Sequence, residues 1–198
     1  MMGPPGTAED EAAVSANAGK ESNWRDSVVE LIPALRAFAW SLSHNASDAD
    51  DLVQDTLIKA WTNRDKFEDG TNLRAWLFTI LRNTYYTNVV RRRREVRDED
   101  GVHAATLTSP ASQDWSVAMS ALEAALKRLP DEHREALMLV GGAGLTYEEA
   151  AEICGCALGT IKSRVNRARG RLLKLMEAEV VTDTFAEEAI GQRIGLKA

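Results

Sequence analysis

The chain has 198 residues, of which 30 are acidic and 24 basic, and a formal net charge of -6. Hydrophobic residues make up 44% of it, which is ordinary for a globular protein with a core. No apolar run approaches the roughly 20 residues of a membrane span, and the N-terminus lacks the basic and apolar blocks of a signal peptide. We therefore expect a cytoplasmic protein, and two cysteines exclude a disulfide-based fold.

The helical pattern is interrupted once, which divides the chain into two domains. Residues 1–22 are small, acidic and aperiodic, which predicts a disordered tail. Helical periodicity covers 23–97 and again 115–178, whereas 98–114 contain charges, Gly, Ser and Pro without an apolar period. Residues 179–198 are expected to be a tail that forms a short helix or frays. No stretch alternates like a strand, so the sequence predicts an all-α fold of two small helical domains on a flexible linker.

Three helices are predicted in the N-terminal domain, and each has a start signal. Pro33 suits the first turn of the first helix, and Ser47 or Asp48 can cap the second, whose first turn is acidic. Asn72 follows a loop and can cap the third helix. Apolar side chains at helical spacing then give each helix one buried face, which in the second helix includes Leu52, Val53 and Trp61.

Residues 146–176 predict a helix, a tight turn and a second helix. Thr146 and Glu149 have the spacing of a capping box. Ala150 and Ala151 are small, as required where two helices cross closely, and Gly155 stands where the turn needs a left-handed backbone. This combination is typical of a helix-turn-helix.

The second helix of this pair concentrates positive charge in an acidic protein. Six basic residues and no acidic ones lie between Glu152 and Glu177. With about 100° per residue, an apolar stripe that begins at Ile161 faces inward. Three of the cations face outward (Lys162, Arg167 and Lys174), and the other three flank the stripe (Arg164, Arg169 and Arg171). Lys and Arg can recognise guanine and Asn adenine in a major groove, so we favour DNA binding over a solvated basic helix or an RNA-facing patch. The candidate contact residues are Thr160, Lys162, Ser163, Asn166, Arg167 and Arg169.

The Cys-Gly-Cys sequence at 154–156 could suggest a metal site. Zinc needs about four ligands, and the three histidines are distant in sequence without paired spacing. We therefore predict no metal site and interpret the cysteines as small apolar residues of the helix turn.

The second N-terminal helix has an acidic outer face that includes an apolar residue. Once its apolar stripe faces inward, Asp51, Gln54, Asp55 and Ile58 face outward together. Stabilisation of an acidic helix start by the helix dipole would explain the aspartates but not Ile58. This face is therefore a candidate surface for docking a protein.

The third helix combines exposed aromatic and basic residues. Arg82 and Tyr86 lie one turn apart, with Asn83 beside them, and Arg91, Arg92, Arg93 and Arg94 follow. Aromatic rings next to Arg suit unstacked bases, because stacking tolerates many sequences while Arg holds the backbone. Alternatively, the basic run is a solvated helix end. For Trp76, which lies earlier in the same helix, we expect a core position. We favour nucleic-acid binding for the run.

These segments together resemble the extracytoplasmic-function class of bacterial sigma factors. DADDLVQDTLIKAW resembles their conserved region 2.2, and NLRAWLFTILRNTYY with the following RRRR resembles regions 2.3 and 2.4. TYEEAAEICGCALGTIKSRVNRARGRL resembles region 4.2. The segment AFAWSLSHNASDADDLVQDTLIKAWTNRDKF is most similar to the EcfG-type factors of the general stress response.

The resemblance implies a role for each candidate surface. The acidic face would bind the β′ subunit of core RNA polymerase, with the β subunit as a further partner. The segment from Arg82 to Tyr86 would open the −10 element and capture a flipped base, and the basic run would hold the DNA backbone. The helix-turn-helix would recognise a −35 element similar to GGAAC. A NepR-type anti-sigma factor would mask these surfaces until a PhyR-type regulator removes it.

The expected function is therefore transcription initiation at promoters, without catalysis by this chain. No carboxylate pair, nucleophile–base set or phosphate loop is visible, and we expect no cofactor, small-molecule substrate or membrane partner. Two alternatives remain open at this point. One is a sigma mimic that sequesters an anti-sigma factor, and the other is a helix-turn-helix repressor.

Overall fold

The protein is a packed set of α-helices. The computed structural model describes the backbone of residues 8–68, 70–98 and 117–194, and the side chains of 23–68, 70–92, 94 and 121–177. Every regular element in these ranges is helical, which confirms the all-α prediction. The helices are α1 Ala8–Ser43, α2 Ala46–Thr62, a 3-10 turn Arg64–Lys66, α3 Leu73–Asp98, α4 Val117–Lys127, α5 Asp131–Leu137, a π-helical turn Met138–Gly142, α6 Tyr147–Cys154 and α7 Leu158–Ile194.

Helix α1 is longer than the sequence pattern predicted. It begins at Ala8, inside the segment 1–22 that composition predicted to be a disordered tail, and it contains Pro33 in its interior rather than in its first turn. Alanine and glutamate dominate the start of this segment and favour a helix. Leu31 and Leu35 are buried on either side of Pro33, so packing supports the helix across the missing backbone donor.

The caps of α2 and α3 explain where these helices begin. Asn45 caps α2, because its Oδ1 accepts hydrogen bonds from the backbone N–H groups of Ser47 (2.8 Å) and Asp48 (3.2 Å). The prediction that Ser47 or Asp48 is the cap was therefore wrong by two or three residues. Asn72 caps α3 as predicted, since its Oδ1 accepts from the Ala75 N–H at 3.1 Å.

One hydrophobic core runs through both sequence-defined domains. Phe38 of α1 and Phe78 of α3 are fully buried, with ring centroids 5.2 Å apart. Leu139, Leu145 and Ile153 from the C-terminal half belong to the same cluster of buried residues. The two domains are thus packed against each other. Apart from the end of α3, the predicted flexible linker (98–114) lies outside the described residues.

Helix α7 is one continuous element. It extends to Ile194, so most of 179–198 is helical where the sequence predicted a short helix or fraying. Directly after α5 the chain forms the π-helical turn Met138–Gly142. Both results leave the helix-turn-helix itself where the sequence predicted it.

His44 links the end of α1 to the packing of the two halves. Its backbone has a φ of 58°, and burial, followed by the nearby charge of Arg134, lowers the pKa of its imidazole. Asp131 opposes this shift and Lys127 adds to it. Because the unfolded chain binds the proton more readily, the free energy of unfolding should fall as the pH drops below about 6.5.

We expect His44→Asn to reduce this pH dependence, since Asn tolerates a left-handed backbone and does not titrate. Denaturant unfolding at pH 7.5 and at pH 5.5 measures the free energy of unfolding on either side of the reference pKa of about 6.5. If wild type and variant lost the same stability between the two pH values, His44 would not be the responsible group.

Candidate nucleic-acid and polymerase interfaces

The helix-turn-helix is built as its sequence predicted. Thr146 Oγ1 accepts from the Glu149 N–H at 3.2 Å, and the Glu149 carboxylate accepts from the Thr146 N–H at 2.8 Å, which completes the capping box. The backbone hydrogen bond to Thr146 is the main reason that the pKa of Glu149 is lowered. Gly155 ends α6 with a φ of 63°, in the left-handed region. Helix α7 therefore leaves the turn in a defined direction.

Helix α7 exposes most of the cations that the sequence assigned to DNA. Lys162, Asn166, Arg167 and Arg169 are exposed, whereas Ile161, which begins the apolar stripe, is fully buried. The other two candidates, Thr160 and Ser163, are half-buried, and the Ser163 hydroxyl donates to the Thr160 carbonyl at 2.9 Å. These two hydroxyl positions therefore contribute less open surface than the four exposed side chains.

The acidic face of α2 is exposed as a unit. Asp51, Gln54 and Asp55 are exposed, and Ile58, which faces away from the core, is 63% exposed. The opposite face carries the buried Leu52, Val53 and Thr56. Trp61, which the apolar pattern assigned to the buried face, is instead 55% exposed. Ile58 thus adds one apolar side chain to an exposed acidic face.

The structure places Arg82 differently from the prediction of an exposed outer side. Its Nε donates to Glu135 Oε1 of α5 at 2.7 Å, and their side chains are only 21% and 3% exposed. The guanidinium also lies 4.7 Å from the Tyr86 ring centroid, and the Tyr86 hydroxyl donates to Glu135 Oε2 at 3.4 Å. One carboxylate from the C-terminal half thus binds both residues.

The titration properties of this cluster follow from its burial. Burial alone would lower the pKa of Arg82, but the hydrogen bond and charge of Glu135 outweigh burial and raise it. Burial, together with the same carboxylate, raises the pKa of Tyr86 to about 12. Burial and Glu135 likewise raise the pKa of Cys154 to about 12, so this thiol stays protonated near neutral pH. The cluster is therefore a charged Arg, a neutral Tyr and an inert thiol around one carboxylate.

Further polar contacts hold the two halves together. Arg134 is 2% exposed, and it donates to the Ser41 carbonyl of α1 as well as to the Leu129 carbonyl (2.9 Å) of its own half. Asn72 donates to Glu149, and Arg74 donates to the Ala143 carbonyl. These contacts hold α5 against the end of α1 and α6 against the start of α3.

The remaining basic residues of α3 stay accessible. Arg91, Arg92 and Arg94 are exposed, and the side chain of Arg93 lies outside the described residues. Arg92 makes an exposed ion pair with Asp48 at 3.4 Å, which contributes little in water. Arg91 and Arg94 line an open cleft of about 580 Å³ together with Arg82, Asn83 and Tyr86.

A second cleft on the other side of Asn83 was not predicted from the sequence. It has a volume of about 320 Å³ and lies between α2 and α3. Lys59 Nζ donates to Thr84 Oγ1 at 3.0 Å. Half-buried Trp76, for which the sequence predicted a core position, packs against the core and also provides an aromatic wall of the cleft. The lining residues are Lys59, Asn63, Lys66, Trp76, Ile80, Asn83, Thr84 and Thr87.

Comparison with known proteins identifies the two halves. The family model of sigma-70 region 2 matches residues 28–95, and that of sigma-70 region 4 matches residues 119–172. The ECF RNA polymerase sigma factor EcfG of Rhodopseudomonas palustris (strain TIE-1) is 52% identical over 171 residues, which cover 86% of this chain and 94% of that protein. The chain belongs to the extracytoplasmic-function (ECF) sigma factors.

Two solved structures of sigma factors resemble this one. The sigma factor RpoE in complex with the anti-sigma factor NepR from Bartonella quintana has a TM-score of 0.69 and 50% identity, and the match covers 78% of this chain and 97% of RpoE. CnrH in complex with the cytosolic domain of CnrY has a TM-score of 0.59 and 29% identity, covering 84% of this chain and 95% of CnrH. Both support the helical fold described here.

As a sigma factor, the protein directs core RNA polymerase to promoter DNA and initiates transcription. This result favours the sigma factor over both alternatives, the sigma mimic and the repressor. Among the described helices of the sigma factor, none has the length and apolarity needed to span a membrane.

Proposed function

We propose that this sigma factor serves the general stress response and recognises promoters with two separate surfaces. The observation that carries the proposal is the exposed row of Lys162, Asn166 and Arg167 on a properly capped helix-turn-helix. An acidic protein has little general affinity for DNA, so a local cationic surface of this kind indicates a specific DNA-binding site.

The −35 element is the proposed ligand of α7. Arg167 and Lys162 recognise guanine edges, Asn166 recognises adenine, and Arg169 holds a phosphate. Thr160 and Ser163 lie at the start of the same helix and contact the nearest part of the DNA backbone. The expected sequence is similar to GGAAC, as the resemblance to EcfG-type factors implies.

The melted −10 element is the proposed ligand of α3. Asn83 lies between the two clefts, with Arg82 and Tyr86 on one side and Trp76 on the other. A base that leaves the stack can lie against Trp76 while Lys59 and the basic run hold the phosphates. The Arg82 Nε and the Tyr86 hydroxyl are occupied by Glu135, so −10 DNA should bind more tightly once the two halves separate.

The acidic face of α2 is the proposed site for core polymerase. Its carboxylates suit a basic surface on β′, and Ile58 suits an apolar contact at the centre of that interface. The C-terminal half is proposed to contact the β subunit. Once both halves are bound to polymerase, each raises the effective concentration of the other at the promoter.

A NepR-type anti-sigma factor is the proposed regulator. The solved complex of RpoE, which is 50% identical to the matched part of this chain, contains NepR. Such a partner would stabilise the packed arrangement, in which Arg82 and Tyr86 are bound to Glu135. Phosphorylation of a PhyR-type regulator would then withdraw NepR and allow the halves to separate.

The Arg167→Ala variant tests −35 recognition. We expect it to weaken binding to promoter DNA by about 1–3 kcal/mol and to relax selectivity at one base pair, because its guanidinium would contact a base edge. Binding of holoenzyme to the promoter and to single-base variants measures both effects.

Arg171→Ala is the control, since Arg171 is also exposed on α7 but lies one turn further from the helix start. Arg171→Ala should change the affinity for all promoter variants by the same factor. Unchanged −35 selectivity in Arg167→Ala would remove this residue from base recognition. Runoff transcription with and without a candidate NepR-type protein tests the regulatory part.

A further inference from the structure

A continuous row of aromatic rings and guanidinium groups in contact connects α1 to the cleft that contains Trp76. Neighbouring members lie 4.9 to 5.6 Å apart, measured between ring centroids or from a guanidinium carbon to a ring centroid. We call this row the aromatic ladder. In order, its members are Arg25, Trp61, Trp24, Arg64, Phe67 and Trp76.

Arg64 is the member that joins the two ends of the ladder. Its guanidinium carbon lies 5.1 Å from the Trp24 ring and 5.6 Å from the Phe67 ring. Its Nη1 also donates to the Phe67 carbonyl at 3.5 Å, so both the ring and the backbone of Phe67 are held. Arg64 begins the 3-10 turn that follows α2, and it therefore fixes this turn to Trp24 of α1.

Phe67 passes this constraint to the wall of the cleft. Its ring centroid lies 5.2 Å from that of Trp76, at an interplanar angle of 48°. Trp76 lines the cleft with Lys59 and Asn83. A stacked base requires a ring in a fixed plane, so the orientation of Trp76 decides whether a base can stack on it.

Ordinary core packing does not account for the composition of the ladder. Trp24 is 8% exposed, and its indole N–H has no acceptor among the described residues, so an aliphatic side chain would fill the volume without a buried donor. What Trp24 provides beyond volume is an aromatic ring in contact with both Arg64 and Trp61.

We infer that Arg64 is a positioning residue for base capture, acting through Phe67 on the plane of Trp76. The inference rests on the proposed function of the cleft in binding a base of the melted −10 element. Arg64 is not required to touch DNA. Its effect should appear only in the part of the affinity that depends on the base.

The test uses full-length sigma factor with core polymerase and a fork-junction DNA. The duplex part carries GGAAC. The spacer between this element and the single-stranded part is varied in length, and the DNA that binds most tightly is used. An abasic site is moved along the single strand one position at a time. The measured quantity is the ratio of the affinities for the intact and the abasic strand, which should be roughly 5- to 150-fold at the captured base.

Arg64→Ala should reduce this ratio by about twofold to thirtyfold, the range of a cation–π contact, and leave the affinity for the abasic strand unchanged. Arg25→Ala is the matched control. It removes the same kind of contact at the opposite end of the ladder, where Arg25 lies 4.9 Å from Trp61 and far along the row from the cleft. It should keep the wild-type ratio.

A second pair of variants covers the case that Arg64→Ala fails to fold. Trp24→Phe keeps a ring face for Arg64 and should keep the ratio, whereas Trp24→Leu removes the face and should reduce it. An unchanged ratio in both Arg64→Ala and Trp24→Leu would overturn the inference while leaving base capture intact. Equal losses on intact and abasic strands would show a purely structural role. If wild type showed no base-dependent position, the proposed function of the cleft would itself fail.

Discussion

Replacing Glu135 with glutamine is expected to strengthen the binding of single-stranded −10 DNA by free sigma factor by roughly tenfold or more. Glu135 is the carboxylate that binds Arg82 and Tyr86 in the packed arrangement. In that arrangement the carboxylate occupies the Arg82 Nε and the Tyr86 hydroxyl, and DNA has to compete with it for these donors. The substitution keeps the shape of the side chain and removes its charge.

The size of the effect follows from the burial of Glu135. A hydrogen bond to a charged group contributes about 1.5–3 kcal/mol, which corresponds to roughly 10- to 150-fold in the ratio of packed to separated forms. Without its partner, the partly buried Arg82 charge gains free energy by returning to water, which happens when the halves separate. The apparent affinity for DNA then rises with the fraction of separated molecules.

Fluorescence anisotropy with the non-template strand of a transcribed promoter measures the affinity, and energy transfer between dyes on the two halves measures separation. Glu132→Gln is the control. It makes the same change on the same helix, but Glu132 is 68% exposed and pairs with Arg164 of its own half. An unchanged affinity and an unchanged distance in Glu135→Gln would contradict the role of this contact.

Reversing the charge of Asp55 should weaken the binding of core polymerase by about tenfold or more, because like charges across an interface cost several kcal/mol. Asp55 is exposed on α2 beside Asp51 and Ile58, and the opposite face of the helix carries the buried contacts. Asp55→Arg should therefore leave the melting temperature nearly unchanged. Affinity for core polymerase is measured directly with labelled sigma factor.

Asp26→Arg makes the same charge reversal at an exposed position of α1 and provides the control for net charge. It should retain nearly wild-type affinity. If Asp55→Arg still bound core polymerase as tightly as Asp26→Arg, Asp55 would not belong to the docking face.

Surfaces formed within one helix or one turn could be predicted from the sequence. The capping box of Thr146 and Glu149, the left-handed Gly155 and the exposed face around Asp55 all depend on residues a few positions apart. Helical spacing alone determines which of these side chains share a face. Local competition between nearby polar residues was harder to judge, and Asn45 rather than Ser47 or Asp48 caps α2.

The Trp61 and Trp76 positions show where the apolar pattern misleads. Both were assigned to buried faces, yet Trp61 is 55% exposed, and Trp76 lines a cleft as well as packing against the core. A large aromatic residue can serve as a stacking surface as well as a core residue, and periodicity does not distinguish these uses. The distinction depends on which neighbouring element covers the ring.

The sequence by itself determined the all-α class, the two sigma regions and the local chemistry of each surface, because these depend on spacing within single elements. Only the tertiary structure decided that Arg82 and Tyr86 are bound to Glu135, since about fifty residues separate these groups in the chain. It also decided that Arg64 joins α1 to the wall of the cleft. The partners of a buried carboxylate, and of a cation between two rings, depend on how helices pack against one another. The spacing of residues within one helix does not contain this information.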